Sequence, residues 1–233
     1  ETLKEGDFYI NNDPYGGGQH LQDVFIFKPI FFDGRLVAFA GTVAHHLDLG
    51  GGNPGMTPDA VDVHAEGIII PPSVYNMRDW NGGSLERLIA ANVRVPAQTI
   101  GDFYAQFAAI ALGEAFREAL GDKKGVRRFA SGLYPLDEAL VEVALDLSGR
   151  PFVVWNVPMP EVLPLGQPAF DPQLTEHAFH SFATAAGITL HVRLCHGTNV
   201  HHIIEAAFKG LARSLRDAVR VEGGSVPSTK GVL

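Results

Sequence analysis

The stretch Gly197-Thr198-Asn199-Val200-His201-His202-Ile203-Ile204-Glu205-Ala206-Ala207-Phe208-Lys209-Gly210 decides how the second half of this chain is read. On a helix, His201 and Glu205 are four positions apart and His202 and Glu205 three apart. One carboxylate can therefore meet either imidazole. Ile203, Ile204, Phe208, Leu211 and Leu215 give the same helix an apolar side for a core. Two neutral imidazoles and a carboxylate suit a divalent metal such as Mn, Fe or Zn. The plainer alternative is a polar helix start with ordinary surface histidines.

Outward from this helix, Leu174 to Ala186 reads as a second helix stopped by Gly187. Ile188 to Leu194 reads as a strand between the two helices. Phe129 to Leu133, Leu140 to Leu147 and Phe152 to Val157 read as earlier strands, the last preceded by the turn Ser148-Gly149-Arg150-Pro151. Helices stacked on one face of a sheet are expected, in a β-β-α-β-α half-unit. His191 and His196 read as ordinary strand-end histidines.

The first half reads differently. Gly6 to Ile10 is a strand and Asn11 to Gly18 a loop dense in turn residues. Val24 to Phe32 and Arg35 to Val43 are β-prone runs separated by Asp33-Gly34, a tight-turn pair, so a hairpin is expected. Alternation along these runs is poor, which predicts burial on both faces. His20-x-x-Asp23 precedes the hairpin and His45-His46-x-Asp48 follows it. Closing the hairpin would bring His20, Asp23 and His45 to one point, open to a further ligand; loop decoration is the alternative.

Between the halves, Thr99 to Leu120 reads as one long helix, with Thr99 as N-cap and Gly121 as stop. Phe103, Phe107 and Ile110 form one stripe, and Leu112, Phe116 and Leu120 another, about half a turn away at 100° per residue. Such a helix serves two cores. Charge shifts near the same place: residues 1–109 carry 13 Asp+Glu and 6 Lys+Arg, whereas residues 110–233 carry 13 and 12. The whole is an α+β chain, a β-hairpin-rich fragment of 1–109 joined through a long helix to the half-unit of 110–233.

With 46% apolar and 19% charged residues the chain is globular. The formal net charge of -8 argues against nucleic acid as a partner. No apolar run is long enough for a membrane span. The lone cysteine, Cys195, excludes an internal disulfide and predicts a reducing, cytoplasmic setting.

Two resemblances sharpen these expectations. The opening stretch resembles the second signature of imidazoleglycerol-phosphate dehydratase. So do Leu120-Gly-Asp-Lys-Lys-Gly-Val-Arg-Arg-Phe129, Pro135-Leu-Asp-Glu-Ala139, Asp146-Leu-Ser-Gly-Arg-Pro151, Gly187-Ile-Thr-Leu-His-Val192 and Val226-Pro-Ser-Thr-Lys-Gly231. This resemblance implies metal ligation by His177, His201, His202 and Glu205, with manganese as the ion. It implies phosphate binding by Arg128, Arg150, Lys209, Ser228 and Lys230; arginine forks and lysine charge suit a dianion. The family dehydrates a phosphorylated imidazole, with two manganese ions on the ring and acidic groups moving protons. Its fold pairs two such half-units, and each ion draws ligands from both.

Residues 1–108 resemble the hydantoinase B, 5-oxoprolinase and acetone carboxylase alpha-subunit family through Gly6 to Asp23, Ala44 to Gly51, Glu66 to Pro72 and Leu88 to Arg94. That resemblance implies a metal on His20, Asp23 and His45 and an ATP-binding partner subunit. The chain is thus expected to be a chimera of two incomplete metal-dependent fragments. Inactivity or weak activity, residual metal and phosphate binding, and self-association through an uncovered helix face follow. A working dehydratase and a hydantoinase-type subunit fragment are the alternatives.

Overall fold

The computed structural model describes residues 3–32, 34–55, 58–159, 165–166, 170–225 and 227–228. Contacts divide the chain into two compact units, Glu1–Ile110 and Ala111–Leu233. No helix among the described residues is long and apolar enough to cross a membrane.

The first unit is built on an antiparallel sheet in the order β3-β2-β1-β4, from β1 (Asp7–Asn11), β2 (Asp23–Phe32), β3 (Arg35–His45) and β4 (Ser73–Asn76). The expected hairpin is β2-β3, running in register from Asp23↔His45 to Phe32↔Arg35 with a bulge at Ile30/Phe31. Gly34 supplies the positive φ (68°) that its turn requires, while Asp33 lies outside the described residues. Burial on both faces does not hold. Val24, Ile26, Ala40 and Ala44 are buried, whereas Phe25 and Phe27 are half-exposed and Phe39 is exposed. This is the one-sided pattern of an antiparallel sheet.

Helices α1 (Met77–Trp80), α2 (Ser84–Asn92) and the start of α3 (Pro96–Leu120) complete this unit. Trp80 is fully buried against Phe103 and Phe107 (ring centroids 4.8 and 5.3 Å), and Phe107 meets Phe8 at 4.9 Å. Helix α3 begins at Pro96, a residue suited to a first helical position because its missing N–H costs nothing there. Thr99 is therefore not the N-cap. It lies one turn inside, and its hydroxyl donates to the carbonyl of Asp48 at 3.1 Å.

The second unit carries a sheet in the order β5-β6-β8-β7, from β5 (Phe129–Leu136), β6 (Ala139–Asp146), β7 (Phe152–Asn156) and β8 (Thr189–His196). β7 and β8 are parallel and the other pairs antiparallel. With α4 (Leu174–Ala186) and α5 (Val200–Ala218), and β7 counted, the order reads β-β-β-α-β-α. Val141, Val143, Leu190 and Val192 from the sheet share one core with Phe179, Ile203, Ala206 and Ala207 from the helices. Helix α5 lies very close to the sheet: a Cβ on Gly210 would fall 2.6 Å from Val143 and 2.8 Å from the Tyr134 ring.

Two expectations about apolar faces change here. Of the second stripe on α3, Phe116 and Leu120 pack on this core, but Leu112 is 63% exposed. Its place in that stripe is taken by the buried Gly113. On α5, Phe208 is 45% exposed, and its ring meets that of Phe179 in a T-shaped contact (centroids 4.9 Å apart). The buried faces of α4 and α5 pack on the sheet, and exposed apolar side chains lie on the strands (Phe129, Leu133, Phe152 and Val154) as well as on the helices (Leu112 and Phe208).

Candidate metal centres and anion site

In the first unit, strand register builds the site. Asp23 opens β2, His45 closes β3, and the two are direct partners across the hairpin. His20 stands in the turn before β2. Asp23 accepts from His45 Nδ1 through Oδ1 (2.8 Å) and pairs with His20 Nδ1 through Oδ2 (3.0 Å). The donor atoms of all three residues lie within 4.8 Å of one another. Two imidazoles and a carboxylate fit a divalent ion, which at about 2.1 Å from each needs donors roughly 3–3.4 Å apart. A cleft lined by Tyr15, Gln19, His20, Asp62 and Glu66 opens beside His20.

The neighbours of His45 serve the scaffold. His46 is buried, its ring 4.2 Å from Phe103 and its Nε2 3.0 Å from Gln106 Oε1. Asp48 accepts from Arg94 Nη1 (3.0 Å) and from the Arg94 backbone N–H (2.6 Å). The same guanidinium donates to the carbonyls of Gly51 and Gly52 (2.8 and 2.9 Å), which pins the glycine loop.

In the second unit, Asn199 caps α5 by accepting from the N–H groups of His201 and His202. His201 and Glu205 meet as expected, Nε2 to Oε2 3.2 Å. The other oxygen of Glu205 pairs with Lys209 at 2.7 Å, and this lysine holds the carboxyl below its usual range. His202 turns instead to Glu138, Nδ1 to Oε2 2.7 Å. That hydrogen bond, with the N–H groups of Asn199 and Thr198, pulls the Glu138 carboxyl down to about 2, and Glu138 in turn raises His202. His177 is half-buried on α4. Among the described residues only His20, Asp23 and His45 bring three such donors together; His177, His201, His202 and Glu205 are not gathered into one set.

The expected phosphate residues are partly committed. Arg128 grips Asp146 with Nε and Nη2 (2.6 and 3.0 Å), and its Nη1 donates to the carbonyl of Pro227 (2.8 Å). It thereby anchors the tail beside Ser228. Arg150 Nη1 donates within its own turn, to the Ser148 carbonyl (3.3 Å). Lys230 lies outside the described residues. Lys123, given no role from the sequence, is buried in the fields of Asp146, Arg128, Arg150 and Arg117, and burial lowers its pKa. Glu138 was likewise missed, although it lies in the quoted stretch Pro135 to Ala139; its partner His202 is 64 positions away.

Two families of known proteins match overlapping stretches of the chain. The Hydantoinase B/oxoprolinase family matches residues 1–138, and the imidazoleglycerol-phosphate dehydratase family matches residues 90–215. The chain belongs to both families. It is 56% identical over 127 residues to the imidazoleglycerol-phosphate dehydratase of Cereibacter sphaeroides, covering 53% of this chain and 64% of that one. The Carboxydothermus hydrogenoformans dehydratase is 54% identical over 124 residues (53% and 63%). The chain thus spans a little under two thirds of these curated relatives. Among solved structures, the Staphylococcus aureus dehydratase is similar at 33% identity, covering 52% of this chain and 69% of that one (TM-score 0.49). The ATP-dependent caprolactamase of Pseudomonas jessenii is similar at 24% identity, covering 62% and 31% (TM-score 0.41).

Proposed function

We propose that this chain is a chimera of two partial metal-binding modules, residues 1–109 of hydantoinase B type and 110–233 of dehydratase type. It keeps divalent-metal binding, with manganese as the ion, and phosphate binding, but little turnover. One observation carries this reading: two families match one chain, and each unit holds its own metal-type donors, His20, Asp23 and His45 in one and His201, His202 and Glu205 in the other.

His20, Asp23 and His45 hold the first ion. His177, His201, His202 and Glu205 contribute to a second, whose remaining ligands come from another copy of the chain. A bound ion would act as a Lewis acid toward an imidazole ring. Arg150, Lys209, Ser228 and Lys230 receive the phosphate of a phosphorylated imidazole, and Lys209 must leave Glu205 to do so. Arg128 shapes that pocket through Asp146 and the tail. The setting is cytoplasmic, and an ATP-binding subunit is the partner of the first module. Turnover is poor because each catalytic ion needs ligands from two half-units, and catalytic positions tolerate errors of only about 0.5 Å.

The 56% identity to a curated dehydratase favours a working dehydratase as the second reading. Manganese content and turnover of imidazole glycerol phosphate, measured on the same protein, separate the two. Bound manganese with negligible turnover supports the chimera. Turnover at an ordinary enzymatic rate that disappears in His201→Ala overturns it.

A further inference from the structure

We propose that Glu138 is a positioning residue that locks His202 in one tautomer, with the proton on Nδ1 and the lone pair of Nε2 free for a metal. The proposal rests on the reading above only for the identity of that ligand. No role followed from the sequence for Glu138, yet both of its oxygens are used. Oε2 takes His202 Nδ1 at 2.7 Å, and Oε1 takes the N–H groups of Asn199 (2.8 Å) and Thr198 (3.2 Å). Its carbonyl faces His196 Nδ1 at 2.9 Å. One residue of the β5-β6 turn therefore holds the loop before α5, the start of α5 and the ring of His202.

The turn is shaped for this task. Asp137 adopts a left-handed conformation (φ 47°), which costs a non-glycine residue of order 1 kcal/mol and persists only where the surroundings impose it. Gly197 (φ 144°) lets the loop close on the turn: a Cβ there would sit 3.1 Å from both Ala139 and Ile203. A carboxylate on one imidazole nitrogen fixes the ring and leaves the other nitrogen as the donor. His201 lacks this arrangement, because its Nε2 is the atom that meets Glu205. The competing carboxylate, Asp137 Oδ2, is 3.7 Å from His202 Nε2 on a side chain that is 74% exposed, so it does not fix the opposite tautomer.

The test uses the full chain with 15N-labelled histidine, at a pH high enough for neutral imidazole and with the His202 signal assigned by His202→Gln. The wild-type ring is expected to carry its proton on Nδ1, and Glu138→Gln to shift it toward Nε2. Binding of Mn2+ in a His45→Ala background, which removes the first unit's site, is expected to weaken about 10- to 100-fold on Glu138→Gln, with Glu138→Asp restoring part of it. A wild-type His202 protonated on Nε2 overturns the proposal without any variant. So does a folded Glu138→Gln protein with unchanged tautomer. If the His45→Ala parent binds no Mn2+ while Glu138→Gln still changes the tautomer, the hold of Glu138 on His202 stands and the metal reading of the second unit falls.

Discussion

Two glycines on α3 should respond to alanine with opposite signs. Gly101 is exposed, and a Cβ there would meet nothing within 4 Å. Gly101→Ala should gain the ordinary helix-interior difference, about 1 kcal/mol. Gly113 faces α4, and its Cβ would stand 2.5 Å from the Phe182 carbonyl oxygen, 2.6 Å from Ala185 Cβ and 2.9 Å from Ala186 N. Comfortable contact begins near 3.5 Å, so the helices must part by about 1 Å. The obstacles are backbone and a Cβ, which cannot rotate away, so the cost lies at the upper end of overpacking, about 3 kcal/mol. Net of the helix gain, Gly113→Ala should lose about 2 kcal/mol. At about 4 °C per kcal/mol, the first variant raises the midpoint of its unit by about 4 °C and the second lowers its own by about 8 °C. The chain has two tryptophans, Trp80 in the first unit and Trp155 in the second. Fluorescence melts in Trp155→Phe and Trp80→Phe backgrounds therefore report each unit separately. A second unit that is stabilised by Gly113→Ala would refute the close packing of α3 on α4.

The remaining predictions concern the polar anchors. Replacing Arg128 by Met leaves Asp146 unpaired on a side chain only 19% exposed, so the second unit should lose about 3 kcal/mol; protease nicking near Pro227 should rise because the tail anchor goes too. Glu138 is depressed from 4.5 to about 2, so its contribution is present above 4.5 and lost as pH falls through about 2. His202 is raised from 6.5, so its contribution is full below 6.5 and lost as pH rises past that raised value. Protection of the Asn199 amide, corrected for intrinsic exchange, should therefore peak between pH 4.5 and 6.5, and a monotonic profile would contradict the pairing. His45→Ala should cost the first unit more Mn2+ affinity than the about 10- to 100-fold typical of losing an outer-layer partner, as read by equilibrium dialysis.

Legibility followed the range of the interaction. Asp23 and His45 could be brought together from sequence because the Asp33-Gly34 turn sets the hairpin and the hairpin sets the register. His201 and Glu205 could be paired because helix spacing alone does it. Glu138 and His202 could not, since nothing local links positions 64 apart. The dehydratase resemblance implies a phosphate ligand at Arg128; only the fold shows Asp146 and Pro227 occupying its fork. The start of α3 differs for another reason: Thr99 has N-cap chemistry, but Pro96 is the stronger signal. Leu112 and Phe208 show how hydrophobicity misleads near a boundary, where a glycine can take the close contact while the large side chain faces outward.

The two proposed metal centres would differ in what they need from outside the chain, and dilution should expose the difference. In the first unit, strand register and the turn before β2 already place three donors within 4.8 Å of one another. In the second, α5 places His201 against Glu205, while His202 is held from the other side by Glu138. Neighbours at helical spacing have Cβ atoms about 5–6 Å apart, so one helix turn offers an ion two good donors and seldom a full set. If a second copy completes that set, ion binding and self-association are linked, and by mass action the affinity must rise with protein concentration. In His201→Ala, where only the first site remains, Mn2+ affinity should be the same at about 1 and about 100 μM protein. In His45→Ala it should strengthen severalfold across that range, with sedimentation shifting toward larger species as the ion is added. Concentration-independent binding in His45→Ala would mean that one chain closes the second site alone, and the case for a borrowed half-unit would fail with it.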